Sequence, residues 1–146
     1  AKETNVSILS GLYLMQGGDF FATVEDWDKD FFKKNGFFKF LSPEDVSNRK
    51  QIFKVSYTGF GWLLVKKGVF ESLEYPWVQP TWFDEDGIYE MTTTDCGFMH
   101  RAAEKGHHTY IDPTIIVGHE KSEILMVDPR NLEPKIDFIP NPNHKK

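Results

Sequence analysis

Three observations predict an α/β chain, α+β over the stretch present. Val6 to Met15 is almost continuously apolar, the pattern of a buried strand. From Ile52 the period is two, with Phe53, Val55 and Tyr57 facing one way and Lys54 and Ser56 the other. Thr94 to Lys105 sets Asp95, Phe98, Met99, Ala102 and Ala103 on one helical face, and Gly106 stops it.

The remaining elements follow in order. Gln16-Gly17-Gly18-Asp19 is a turn, and Phe20 to Val24 a second strand. Asp26 to Lys34 is predicted helical, with Trp27 and Phe31 four apart and Asn35-Gly36 closing it. Ser42-Pro43-Glu44-Asp45 is a helix start: Ser as N-cap, Pro first, acids against the dipole. Gly59 and Gly61 interrupt the period-two run, Trp62 to Val65 resumes it, and Val69 and Leu73 mark a short helix. Tyr75 to Gly87, with Pro76, Pro80 and the acids Asp84-Glu85-Asp86, reads as a long surface loop. His108–Ile111 and Thr114–Val117 are two short strands divided by Asp112-Pro113. The Pro/Asn stretch 139–146 is expected to be a disordered tail, leaving one domain over 1–138.

Composition narrows the function classes. At 146 residues, 40% apolar and 27% charged, the chain suits one domain with a real core and excludes a disordered chain. A net charge of −5 argues against binding phosphate backbones, so no nucleic-acid partner is expected. The single cysteine, Cys96, forms no intramolecular disulfide, which points to a reducing, cytoplasmic location. No apolar run is long enough for a transmembrane segment, and no signal peptide is visible. Aromatics are dense, with 13 Phe, 5 Tyr and 4 Trp, and divide into a Phe-rich core and a Trp-bearing loop.

The most informative stretch is Thr94-Asp95-Cys96-Gly97-Phe98-Met99-His100-Arg101-Ala102-Ala103-Glu104-Lys105-Gly106, then Tyr110-Ile111-Asp112-Pro113 and Val117-Gly118-His119-Glu120-Lys121-Ser122. With Thr58-Gly59-Phe60-Gly61-Trp62, Tyr75-Pro76-Trp77 and Ser10-Gly11-Leu12-Tyr13, it resembles, in order, the C-terminal, acceptor-side part of family 2-like nucleotide-sugar glycosyltransferases of the GT-A fold. The resemblance implies a partial Rossmann-like mixed sheet with flanking helices. It also implies transfer of a sugar from a nucleotide-diphosphate donor to a glycan or other hydroxyl acceptor, with inversion.

The resemblance makes Asp95 the catalytic base or acceptor clamp, places His119 at a Mn²⁺ or Mg²⁺ site and puts Gly59 and Gly61 in the acceptor segment. Trp62, Trp77 and Trp82 offer stacking surfaces for a sugar acceptor, the last two from a polar, proline-broken loop. Each position also has a plainer reading. Asp is a favoured helix-capping residue, a His after Gly is commonly a loop residue, Trp62 in an apolar strand suits a core, and Gly59 and Gly61 suit a bulge.

Two departures are informative: Thr94 stands where the family usually has Glu, and Gly97 where a second acid is common. The family's Asp-x-Asp pair precedes the strand resembling Ser10-Gly11-Leu12-Tyr13. Asp26/Asp28, Asp28/Asp30 and Asp84/Asp86 all follow it and read as solvated surface acids. The chain opens on Ala1 without Met, so the nucleotide-binding half is expected to be missing and transferase activity from this chain slight. UDP–Mn²⁺ should bind no tighter than about 10 μM. Exposed sheet edges are expected to be covered by homo-oligomerisation. The alternatives are a non-catalytic carbohydrate-binding or assembly module and a small α+β domain whose likeness is coincidental.

Overall fold

The computed structural model describes residues 5–120, 124–127 and 134–137, so the tail 139–146 and the end of the resemblance at Ser122 lie outside the described residues. In chain order the elements are β1 (Ile8–Leu12), β2 (Thr23–Val24), α1 (Lys29–Asn35), α2 (Pro43–Val46), β3 (Phe53–Val55), β4 (Tyr57–Thr58), β5 (Leu63–Val65), a 3₁₀ turn (Phe70–Ser72), β6 (Trp82–Glu85), β7 (Ile88–Met91), α3 (Thr94–Glu104), β8 (Thr109–Ile116), β9 (Ile124–Val127) and β10 (Pro134–Asp137). The protein is a mixed α/β chain. Among the described residues no helix is long and apolar enough to cross a membrane.

The apolar run at the start becomes an inner strand. A four-stranded sheet has the order β3-β8-β1-β5, with β1 parallel to β8 and antiparallel to β5, and β3 antiparallel to β8. It is therefore a mixed sheet. Two buried clusters meet along β1. Ile8 packs with Val69, Leu73, Phe98, Met99 and Ala102, whereas Leu12 packs with Phe21, Leu41, Val46, Val55 and Ile111. The apolar face of α3 supplies Phe98, Met99 and Ala102 to the first cluster, as the helical spacing predicts.

Asp112-Pro113 does not divide two strands. β8 runs through both residues, because β3 pairs only as far as Ile111 and the proline needs to donate no ladder hydrogen bond to it. The β1–β8 register shifts over the same stretch, from Ser10↔Ile111 to Leu12↔Ile116. The long loop is also corrected. Its second half is a hairpin, β6 antiparallel to β7, turning on Asp86 (φ 51°) and Gly87 (φ 80°). That Asp-Gly pair with two positive φ values is a favoured two-residue hairpin turn. The predicted second strand shrinks to β2, paired with β4, and an isolated bridge between Leu14 and Phe21. Trp27 falls outside α1, whose N-cap is Asp28, so the Trp27/Phe31 pair is not helical.

The start of α2 follows the predicted grammar. Ser42 Oγ accepts from the Asp45 N–H, and Asp45 Oδ2 accepts from the Ser42 N–H at 2.8 Å, forming a capping box. Ser42→Ala should lower stability by about 1 kcal/mol, read from the urea midpoint at constant slope. The Ser42 N–H, then its hydroxyl, hold the Asp45 carboxyl below its ordinary value. A lowered folded pKa contributes stability above the unfolded value, which disappears as pH falls through the folded one. The deficit of Asp45→Asn should therefore be present at neutral pH and close as pH drops below about 3.9.

Candidate functional site

The site is assembled where α3 begins. Thr93, the N-cap, makes no side-chain bond to the helix backbone; its hydroxyl donates to Asp95 Oδ1 instead. The Cys96 N–H donates to the same oxygen at 2.9 Å, and the Tyr57 hydroxyl, from β4, donates to Oδ2 at 2.9 Å. A first-turn carboxylate at a helix N-terminus is favoured by the dipole and free N–H groups. Here it is also held from a neighbouring strand.

Burial, reinforced by the Asp95 charge and the hydrogen bond to it, raises the Tyr57 phenol far above the ordinary tyrosine value. Tyr13, just past β1, is buried, and burial raises its phenol too. The Gly61 N–H donates to its oxygen at 3.1 Å and opposes that shift, while Asp95 adds to it. The backbone at Gly59 and Gly61 lies against this ring. A Cβ on Gly59 would stand 2.0 Å from the Tyr13 hydroxyl, and one on Gly61 would stand 2.7 Å from the ring. Both glycines are therefore required for close approach.

His119 meets the same ring from another side, its imidazole edge-on to Tyr13 with centroids 5.1 Å apart. Its Nδ1–H donates to the Leu14 carbonyl at 2.7 Å, which fixes the tautomer. Gly59, Gly61 and His119 thus lie against Tyr13, and Asp95 is bonded to Tyr57, two residues before Gly59 in the chain.

Among the described residues no aromatic contact joins Trp62, Trp77 or Trp82, the tryptophans singled out in the sequence, to this group. Trp62 is half-buried and its carbonyl accepts from the buried Ser10 hydroxyl at 2.7 Å. Trp82 lies on β6, not in a loop, exposed and stacked on Tyr89 with centroids 4.6 Å apart and planes 4° from parallel. Trp77 is exposed beside Tyr75, in a segment whose carbonyls at Glu74, Pro76 and Trp77 accept from the Arg101 guanidinium.

Among the described residues no group of three His, Cys, Asp or Glu side chains stands close enough to hold a metal ion. His119 is one donor, so the described residues do not make up a Mn²⁺ or Mg²⁺ site on their own. The spaced acids have surface roles: Asp28 caps α1 and Asp86 pairs with Lys29 at 2.6 Å.

Beside the Asp95 group a cavity of about 360 Å³ opens between α1, the hairpin and the start of α3. Its walls include Trp27, Phe32, Phe38, Phe40, Tyr57 and Phe83. The expected Phe-rich core is thus partly an open chamber, and of the described phenylalanines only Phe21, Phe83 and Phe98 are buried. Tyr13 and Cys96 lie inside the quoted motifs but without a role assigned to them, and Thr93 lies outside them. The one available signal is that a tyrosine buried in an apolar strand needs a partner for its hydroxyl.

Cys96 lines the cavity, and burial, then the Asp95 charge, push its thiol up to about 11. Thiolate is the reactive form, so alkylation by iodoacetamide at pH 8 should run at least about tenfold slower than for a free cysteine. Unfolding in urea should restore the ordinary rate. Comparison of the chain with protein-family models, with curated proteins and with solved structures returned no match, so the reading of the site rests on its own chemistry.

Proposed function

We propose that the chain is the acceptor-side part of a nucleotide-sugar glycosyltransferase, with Asp95 meeting the acceptor hydroxyl. The observation that supports this reading is that Gly59, Gly61 and His119, from two separate motifs, lie against Tyr13, while Asp95 accepts from Tyr57, two residues before Gly59. In the reaction, the acceptor oxygen bonds to the anomeric carbon and the bond to the diphosphate breaks. Its electron pair leaves with the nucleoside diphosphate, the carbon inverts, and the hydroxyl proton passes to Asp95.

Asp95 already accepts from Thr93, Cys96 and Tyr57, which fixes its orientation. Holding the acceptor is therefore as large a part of its role as taking the proton. Among the described residues His119 is a single donor, and the roles given to Asp95 and the tyrosines involve no metal. The outer strands β3 and β5 leave sheet edges that a second copy of the chain would cover.

The exposed Trp82–Tyr89 stack and Trp77 favour a second reading, a non-catalytic carbohydrate-binding module. A glycan panel separates the two. On the first reading Asp95→Ala weakens whichever glycan is held, by about tenfold or more, and Trp77→Ala with Trp82→Ala matters less. The reverse pattern supports the module and contradicts the transferase reading.

A further inference from the structure

We propose that the cavity beside Asp95 takes the apolar body of the acceptor: an uncharged aryl or alkyl group bearing the hydroxyl that meets the carboxylate. This rests on the reading of Asp95 as the acceptor-binding group and adds the substrate class.

Size comes first. At about 360 Å³ the cavity lies in the small-ligand range of about 300–1,000 Å³. It is also open rather than a packing defect in a closed core. α1 buries none of its residues, and Phe37 and Met91, both on the cavity wall, are 56% and 52% exposed.

The chemistry of the wall selects the occupant. Seven of the fourteen lining residues are aromatic, five of them from Trp27 to Phe40 together with Tyr57 and Phe83, and their rings offer few partners to a body carrying many hydroxyl groups. Each hydroxyl buried there without a partner would be penalised by about 1–3 kcal/mol. An anionic body is disfavoured as well. Among the described residues Glu90 is the only carboxylate on the wall and no Lys, Arg or His lines it, so none of them neutralises a phosphate or carboxylate there.

Three of the polar residues on the wall belong to the Asp95 site. Tyr57, Thr93 and Cys96 line the cavity, and these same three residues are the hydrogen-bond donors to Asp95. Asp95 is not itself on the wall, so an attached hydroxyl would reach the carboxylate from among the three wall residues that hold it, the plan of a small-molecule site with a few convergent polar groups.

The test uses the full chain, ligand-observed ¹⁹F NMR, and two probes: a fluorinated phenylpropanol and its methyl ether. Both should bind, the alcohol about tenfold tighter through its hydrogen bond to Asp95. Met91→Trp, which closes the mouth, should weaken both by about tenfold or more, and Cys96→Met, which fills the inner end, gives the same readout if the first variant does not fold. Asp95→Asn should keep the ether's affinity and erase the alcohol's advantage.

Failure of both probes to bind below about 1 mM, or unchanged affinity in both filled variants, overturns the proposal. Ether and alcohol binding equally to the unmodified chain overturns the link to Asp95, and with it the acceptor reading. A disaccharide whose binding is lost in Asp95→Asn but untouched by Met91→Trp overturns the apolar occupant while leaving the proposed function standing.

Discussion

Gly97→Ala is expected to destabilise the protein by about 3 kcal/mol, a larger loss than a surface helix position gives. A Cβ at this position would lie 2.2 Å from the Gln79 carbonyl oxygen, 3.0 Å from Thr92 Oγ1 and 3.2 Å from the Thr81 N–H nitrogen. The first and last are backbone atoms, so no rotamer change relieves the contact. Moving them disturbs the base of the hairpin, where Thr81 N–H donates to Thr92 Oγ1 at 2.8 Å and Thr92 N–H to the Thr81 carbonyl. The loss should appear as a urea midpoint lower by about 1–2 M at unchanged slope. A loss under about 1 kcal/mol would mean that the hairpin base does not rest on α3. Packing of residues 79–81 on α3 thus leaves no room for a side chain at Gly97.

Gly59→Ala is expected to cost about 2–3 kcal/mol, and most of it should be recoverable. The added methyl would stand 2.0 Å from the Tyr13 hydroxyl but 3.3 Å from the adjoining ring carbon. Tyr13 is buried, with Gly61 and His119 against it, so the ring has no free direction. Tyr13→Phe alone gives up the bond from the Gly61 N–H, about 1 kcal/mol. In that background Gly59→Ala should cost no more than about 1 kcal/mol, a coupling of at least about 1 kcal/mol in a double-mutant cycle. Additive losses would place the clash somewhere other than on the hydroxyl.

Local signals made several parts of the fold legible. The capping residues of α2, the apolar face of α3 and the continuous apolarity of β1 act within a few residues of themselves, and each matches the structure. Features that depend on distant partners did not. Pro113 reads as a break, yet β8 passes through it because its neighbour β3 stops at Ile111. The β6–β7 hairpin hides behind Pro76, Pro80 and an acidic triplet, since only Phe83 and Ile88 of its eight residues are buried and the apolar alternation is faint. Its Asp86-Gly87 turn was the signal present.

The candidate site divides the same way. Asp95, Gly59, Gly61 and His119 stand out in the sequence, but the residues that join them, Tyr13 and Tyr57, belong to apolar strand patterns and gain their meaning only through folding. The aromatic excess likewise changes character. Rather than a closed Phe-rich core, much of it forms a chamber next to the carboxylate.

Amide mapping by two-dimensional NMR, with a hydroxyl acceptor that the chain binds, tests the role of the Asp95 group most directly. The acceptor should shift the amides of Cys96, Gly59 and Gly61, and those shifts should vanish in Asp95→Asn while the spectrum keeps its folded dispersion. Shifts confined to the Trp77 and Trp82 indoles, unchanged in Asp95→Asn, would contradict a hydroxyl-binding role for Asp95.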